Sequence, residues 1–273
     1  MRILLLIICF VAIKNTKAQS DSLSSKFSID TGYFSSFDGT KIYYEVRGKG
    51  EPVLLVHGFI SNSTSWKRAF IYNDLLNSGY KVIVLDMRGN GKSDKPHDSL
   101  AYDNDAEAKD IISLINFLKI KRYNVVGYSR GSIITARLLV MDNRINYAVL
   151  GGMGTDFTNP MWPRRIMFYH ALMGDSIPEL KGMVENVERQ KLDKLALAYL
   201  QRSQPSTSKE ALSKITKPVL VICGDKDADN GSAAELAKLL PNSTLATVPG
   251  DHNHASATPE FSNEVISFFQ KKH

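Results

Sequence analysis

The sequence predicts an α/β fold, a mostly parallel sheet with helices on both faces, and three patterns carry that expectation. Short apolar runs rich in β-branched residues occur at 53–56, 82–85, 124–126, 147–150 and 219–223. They are continuous rather than alternating, which suits strands buried on both faces. Between them apolar residues recur at helical spacing, as in Ile111, Leu114, Ile115 and Leu118. Ahead of the first run, residues 27–37 and 41–47 flank Asp38-Gly39-Thr40, the composition of a tight turn between antiparallel strands. Strands that alternate with helices after an antiparallel start imply βαβ crossovers.

Residues 1–18 have the make-up of a secretory signal peptide: Arg2 at the start, an apolar run over 3–13, and Thr16-Lys17-Ala18 as a small-x-small cleavage site. Cleavage after Ala18 and a secreted or periplasmic product are expected. The apolar run falls short of the roughly 20 residues that cross a bilayer, so no stable membrane anchor is expected. Taking Arg2, Lys14 and Lys17 away with this segment lowers the formal net charge from +6 to +3. The remaining cations are dispersed, which argues against nucleic acid as a partner. Cys223 is then the one cysteine left, so no intramolecular disulfide forms. With 43 % hydrophobic and 23 % charged residues, the 273-residue chain has the balance of a globular protein, not a disordered one.

The strand at 124–126 leads into a helical stretch over 132–140, and a further strand is expected at 245–248. Phe261, Val265, Phe268 and Phe269 mark a last helix, with Thr258 as N-cap and Pro259 at its first position. The rhythm breaks between 153 and 208. That stretch has no strand-like run, but Met161, Trp162, Met167, Phe168, Tyr169, Leu172 and Met173 crowd one helical segment and a second follows over 192–200. So long a connection is expected to be a helical cap, or lid, set into a core formed by 26–152 and 209–273.

Chemistry gathers at strand ends. Gly127-Tyr128-Ser129-Arg130-Gly131 lies between a strand and a helix, the context of a nucleophile elbow, where a very tight turn leaves no room for side chains two before and two after the serine. A serine hydroxyl needs a base, and the base needs an acid to orient it. The strand 219–223 ends in Gly224-Asp225-Lys226-Asp227, and the next in Gly250-Asp251-His252-Asn253-His254. Either acid and either histidine are brought to the serine's edge of the sheet. Gly91-Lys92-Ser93 is not a phosphate-binding loop, because Asp86 stands where its first glycine belongs. Asp94 likewise breaks a dinucleotide-binding pattern at Gly89 and Gly91. No cofactor and no metal are expected. Asn62, Asn230 and Asn242 stand in glycosylation sequons.

His57-Gly58-Phe59, the run from Asp86 to Asp94, the serine pentapeptide, Gly224 to Asp227 and a histidine before Pro259 occur in the order of the α/β-hydrolase superfamily. The chain resembles its esterase, enol-lactonase and cofactor-free haloperoxidase-like branch, which carries a small helical cap. The resemblance implies an α/β-hydrolase fold with Ser129 as nucleophile, His252 rather than His254 as base, and Asp227 rather than Asp225 as acid. It further implies an oxyanion hole from the backbone N–H groups of Phe59 and Arg130, with His57 supporting that loop. The Arg130 side chain either greets an anionic substrate or turns away. Met161, Trp162, Met167, Phe168 and Tyr169 are expected to roof an apolar pocket, Trp162 and Phe168 binding a small to medium uncharged ester or lactone. An amide or C–C hydrolase with the same triad, or a binding protein without catalysis, is the alternative.

Overall fold

The computed structural model describes residues 29–271, so the expected signal segment lies outside the described residues. The strands are β1 (Ile29–Ser35), β2 (Lys41–Arg47), β3 (Pro52–Val56), β4 (Lys81–Asp86), β5 (Tyr123–Tyr128), β6 (Ile145–Gly151), β7 (Val219–Gly224) and β8 (Ser243–Val248). They form one sheet in the order β1-β2-β4-β3-β5-β6-β7-β8. The β1–β2 and β2–β4 pairings are antiparallel and the rest are parallel. The expected antiparallel start is therefore present, turned by Gly39 at φ 86° with Asp38 Oδ1 accepting the Thr40 N–H at 3.1 Å.

The helices are α1 (Ser63–Arg68), α2 (Phe70–Asn77), α3 (Ala106–Phe117), α4 (Arg130–Met141), α5 (Pro163–Met173), α6 (Lys181–Arg189), α7 (Lys194–Arg202), α8 (Lys209–Ser213), α9 (Ala233–Leu239) and α10 (Pro259–Gln270). As the sequence predicts, Thr258 Oγ1 caps α10 by accepting the Phe261 N–H, with Pro259 in its first turn.

Successive residues of one strand serve different cores. Leu54, Val56, Ile83 and Leu85 pack with Ile111, Leu114, Ile133 and Leu138 of α3 and α4. Val53, Leu55, Val82 and Val84 pack on the other face with Ile71 and Leu75 of α2 and Phe261, Val265 and Phe268 of α10. Side chains alternate across a strand, so burial on both faces demands apolar residues at every position. That requirement produced the continuous runs. The edge strand β8 is looser, with Leu245 exposed.

Between β6 and β7 the chain makes a third, smaller core: Leu172, Val187, Leu197 and Leu200 close around Tyr102. Leu212 on α8 returns to the sheet's own core. Trp162, at the head of α5, also belongs to the sheet's core rather than to the helical cluster. No helix among the described residues is long and apolar enough to cross a membrane.

The path of the chain places the site. From β3 it passes to β4 on one side and later to β5 on the other, so the loops after β3 and β5 leave the sheet in opposite directions. A crevice opens at such a point beyond the carboxyl ends of the strands. The loops carrying Phe59, Ser129, Asp227 and His252 leave from the carboxyl ends of β3, β5, β7 and β8.

Candidate active site

Ser129 is the turn between β5 and α4, and its backbone is left-handed at φ 54°, ψ −124°. A side-chain-bearing residue is held there only where its surroundings over-determine it. Here they do: the Ser129 N–H donates to Gly151 O at 2.8 Å and its carbonyl accepts the Ser132 N–H at 2.8 Å. The two glycines are forced by contact. A Cβ on Gly127 would stand 2.3 Å from Gly131 O, and one on Gly131 would stand 2.2 Å from Val56 O.

The hydroxyl thus raised meets an imidazole. Ser129 Oγ lies 2.9 Å from His252 Nε2, and His252 Nδ1 lies 2.9 Å from Asp227 Oδ2. An ionised carboxylate only accepts, so Nδ1 carries the proton and Nε2 presents its lone pair to the serine O–H. Burial pushes the Asp227 carboxyl up, but the hydrogen bond from His252 and its charge outweigh this and hold it below the ordinary value. It stays ionised at neutral pH.

The neighbouring candidates go elsewhere. Asp225 Oδ1 accepts the Gly250 N–H at 2.8 Å and so ties the β7 loop to the β8 loop. His254 is 77 % exposed and pairs with Asp251 at 2.6 Å. Of the two acids and two histidines, the structure brings Asp227 and His252 to Ser129.

His57 sits beneath the loop after β3, 1 % exposed. Its Nδ1 lies 2.8 Å from Gly58 O, and its Nε2 accepts the Met87 N–H at 3.1 Å. An amide N–H at Nε2 leaves the proton on Nδ1, so the ring is neutral, and burial lowers its pKa. That clamp sets the backbone of Gly58 and Phe59 against the serine, where a Cβ on Gly58 would come within 3.3 Å of Ser129 Cβ. Arg130 opens α4, where N–H groups have no intrahelical acceptor.

The Arg130 side chain turns away from the serine. It forms a buried bidentate pair with Glu107 of α3 at 2.6 and 2.5 Å and donates to Leu200 O of α7 at 2.8 Å. Its charge is thereby met by Glu107, although Arg130 still lines the cavity and its Nε has no partner among the described residues.

A cavity of about 770 Å³ lies over Ser129 and His252. Trp162 and Phe168 line it as expected, and Phe168 meets Phe59 edge to face with ring centres 5.8 Å apart. The wider roof needs correcting. Met161 is 66 % exposed and Met167 also faces solvent, while Tyr169 packs against the helical core. Residues four apart share a helix face, so α5 brings Arg164 to the cavity with Phe168, and Arg165 beside them. Arg68, at the end of α1, also lines it.

Several residues of the site carried no usable signal in the sequence. Tyr128 O–H donates to His252 O at 2.8 Å and steadies the loop that carries the imidazole. Asn230 Nδ2 donates to Gly152 O at 3.2 Å and lies 3.3 Å from His252 Nδ1. At 6 % exposure, Asn230 is closed to glycosylation in the folded chain despite its sequon. Asp227, Asp229 and His252 each bring one ligand atom within 4.8 Å of the others. A cation there would compete with the Asp227–His252 hydrogen bond, and Asp229 is exposed and faces Arg164 at 3.8 Å.

Residues 51–182 match the family described as alpha/beta hydrolase fold. A putative non-heme chloroperoxidase of Synechocystis sp. is 30 % identical over 243 residues, covering 77 % of this chain and 87 % of that one. An esterase from a Rhodococcus species superposes with a TM-score of 0.67 at 25 % identity, covering 88 % of this chain and 98 % of that one. An enol-lactonase of Burkholderia xenovorans gives a TM-score of 0.69 at 18 % identity, covering 88 % and 100 %.

Proposed function

The chain belongs to the α/β-hydrolase fold family, and from that premise we propose that it cleaves a small to medium carboxylic ester or lactone through an acyl-enzyme on Ser129. One observation carries the proposal: the unbroken run of hydrogen bonds from Asp227 through His252 to Ser129, 2.9 Å at each step. Relatives named esterase and enol-lactonase support an ester-type bond as the target.

In the proposed reaction His252 Nε2 takes the hydroxyl proton as Ser129 Oγ attacks the substrate carbonyl. The oxygen, now anionic, is held by the Phe59 and Arg130 N–H groups, and Asp227 steadies the imidazolium. The tetrahedral intermediate collapses, breaking the bond to the alkoxy oxygen, which receives the proton from His252. Water then loses a proton to the same nitrogen, attacks the acyl carbon and releases the acid, and the proton returns to Ser129.

The cap role of the α5 to α7 segment belongs to this proposal. Phe168 and Trp162 supply apolar contact beside the serine, which suits the part of the substrate next to the scissile bond. Beyond them the lining is cationic, so the expectation of an uncharged substrate is kept for that part only. Export also belongs here, supported by the make-up of residues 1–18. Sequencing the mature N-terminus is expected to begin at Gln19, and an intact Met1 on the exported protein would refute it.

The test of the proposal is covalent labelling by a fluorophosphonate probe, followed by a panel of short-chain esters and lactones. Labelling at Ser129 with turnover of at least one ester supports it. An unlabelled, fully folded protein would overturn it and leave a ligand-binding role on the same fold.

A further inference from the structure

The cavity over Ser129 is asymmetric in charge. Arg68, Arg164 and Arg165 line it together with the serine and His252, and Asp229 is the one carboxylate in that lining among the described residues. Away from the cavity Arg88, Arg137, Arg144 and Arg202 each hold a carboxylate at 2.5–2.9 Å, and Arg130, which also lines the cavity, is neutralised by Glu107 at 2.5 Å. The other three arginines of the lining do not. Arg68 forms no ion pair among the described residues. Arg165 donates to the main-chain carbonyls of Pro160, Arg202 and Gln204, which carry no charge. Arg164 has only Asp229, 3.8 Å away and half exposed, and it lies over the Phe168 ring at 5.2 Å.

Three guanidinium groups against one distant carboxylate leave a net positive field, and a concave site with low-dielectric walls focuses such a field. Burial without a counter-charge also lowers the Arg165 pKa, the signature of a cation whose partner is missing. Guanidinium groups match carboxylates by paired N–H donors. Phe168 meets Phe59, of the loop after β3, edge to face, and Arg164 lies over the same Phe168 ring, so apolar and cationic lining adjoin there. The lining therefore has an apolar stretch beside the nucleophile and a cationic stretch next to it.

We propose that the substrate is an ester or lactone whose acid portion carries a second, free carboxylate, held by Arg164 and Arg68, with Arg165 adding positive charge, while its other end reaches Ser129. This rests on the esterase reading and names the substrate class for that site.

The test compares two acyl groups of matched shape: the mono-4-nitrophenyl ester of adipic acid, an anion at neutral pH, and 4-nitrophenyl 6-methylheptanoate, in which an isopropyl group replaces the carboxylate. At low ionic strength kcat/KM is expected to favour the anion by about tenfold, and 0.5 M NaCl is expected to remove most of that preference. R164Q and R68Q are each expected to lower the anion-to-neutral ratio by about threefold, and D229N to raise it. Opposite signs from Arg164 and Asp229, which face each other, separate an electrostatic role from mere disturbance of the fold. Should R164Q fail to fold, the salt titration of the unaltered protein and the D229N ratio still decide the matter. Hydrolysis of the neutral ester with no anion preference, or a preference indifferent to salt and to all three substitutions, overturns this inference and spares the esterase reading. Failure to cleave either ester, with Ser129 unlabelled by fluorophosphonate, overturns both.

Discussion

The strand ends and helix α5 face each other across one cavity, yet they constrain their sequences very differently. At the strand ends the backbone itself leaves no choice: a Cβ on Gly127 collides with Gly131 O at the start of α4, and one on Gly131 with Val56 O at the end of β3. On α5, Arg164 and Met167 are set in cavity-facing or solvent-facing positions that no backbone contact dictates. The first region is built to place atoms to within tenths of an ångström, as covalent chemistry requires. The second can vary its side chains without moving the sheet, and it is where preference among substrates can be set.

The largest expected effect falls on the strand-end side. Ser129→Ala removes the oxygen that forms the acyl-enzyme, so kcat on any cleavable ester is expected to drop by roughly 10⁴-fold or more. The thermal midpoint should stay near that of the parent, because among the described residues the hydroxyl's hydrogen-bond partner is His252 alone. Turnover like the parent's in the variant would dissolve the contrast between the two regions, since chemistry would then lie elsewhere.

Next in size is the contrast between neighbours on the same loops. Asp227→Asn keeps the shape but loses the acceptor that fixes the His252 tautomer, and a loss of about 10³- to 10⁴-fold in kcat is expected. Asp225→Asn keeps an acceptor for the Gly250 N–H and should leave kcat within about threefold of the parent, the scale of an exposed loop contact. His252→Ala and His254→Ala should split in the same way. Steady-state kinetics on one ester, with all four proteins shown folded by circular dichroism, checks both pairs.

These differences follow what the sequence could convey. The sheet was legible because two-sided burial needs uninterrupted apolar runs, and α10 because Thr258 and Pro259 punctuate its start. The Ser129 turn was legible from its flanking glycines and its strand-to-helix setting, whereas the residues alone left Asp225 beside Asp227 and His254 beside His252, and the resemblance to the α/β-hydrolase superfamily chose between them. Asn230 was not legible, since nothing in Asn230-Gly231-Ser232 says that its amide will reach Gly152 and His252; the only visible pattern there was a sequon. The role of the Arg130 side chain was equally hidden, because its partner Glu107 comes from α3, twenty-three residues away. Around α5 composition misled: Met161 lies ahead of the helix and is exposed, and Met167, one residue before the cavity-lining Phe168, faces solvent.

Trp162 and Phe168 test that distinction within the cavity-facing region. Trp162 is 9 % exposed and packs into the sheet's core, so Trp162→Ala is expected to cost about 3 kcal/mol of stability, the scale of a buried aromatic truncation. Phe168 is half buried and, among the described residues, its ring contacts are with Phe59 and Arg164. Phe168→Ala is expected to raise KM by about threefold to tenfold for long acyl chains, equivalent to about 1 kcal/mol of lost apolar contact, with acetate esters little changed. Melting curves and an acyl-length series separate the two. A stability loss from Phe168→Ala with a flat KM series would move Phe168 to the structural side.

The smallest expected effect concerns His57, which belongs wholly to the scaffold although it lies one loop from the serine. Its ring is held neutral between Gly58 O and the Met87 N–H, and burial lowers its pKa in the folded protein. In the unfolded chain the imidazole titrates near its reference value of about 6.5. The unfolded state therefore binds the proton first on acidification. The stability that His57 contributes is fully present above about pH 6.5 and declines as pH falls toward the folded value, by at most about 1.4 kcal/mol per pH unit for one proton. Asp227 and the other carboxylates held below their ordinary values give up stability only under more acid conditions, as pH falls below about 4. His57→Gln keeps one donor and one acceptor but no titrating group in this window. Denaturant unfolding of both proteins at intervals from pH 7.5 to 5 is expected to show the parent losing stability relative to the variant below about pH 6.5, the same background titrations cancelling in the difference. Parallel curves throughout would mean that His57 takes up its proton without leaving the clamp, and that Met87 N–H does not require its lone pair.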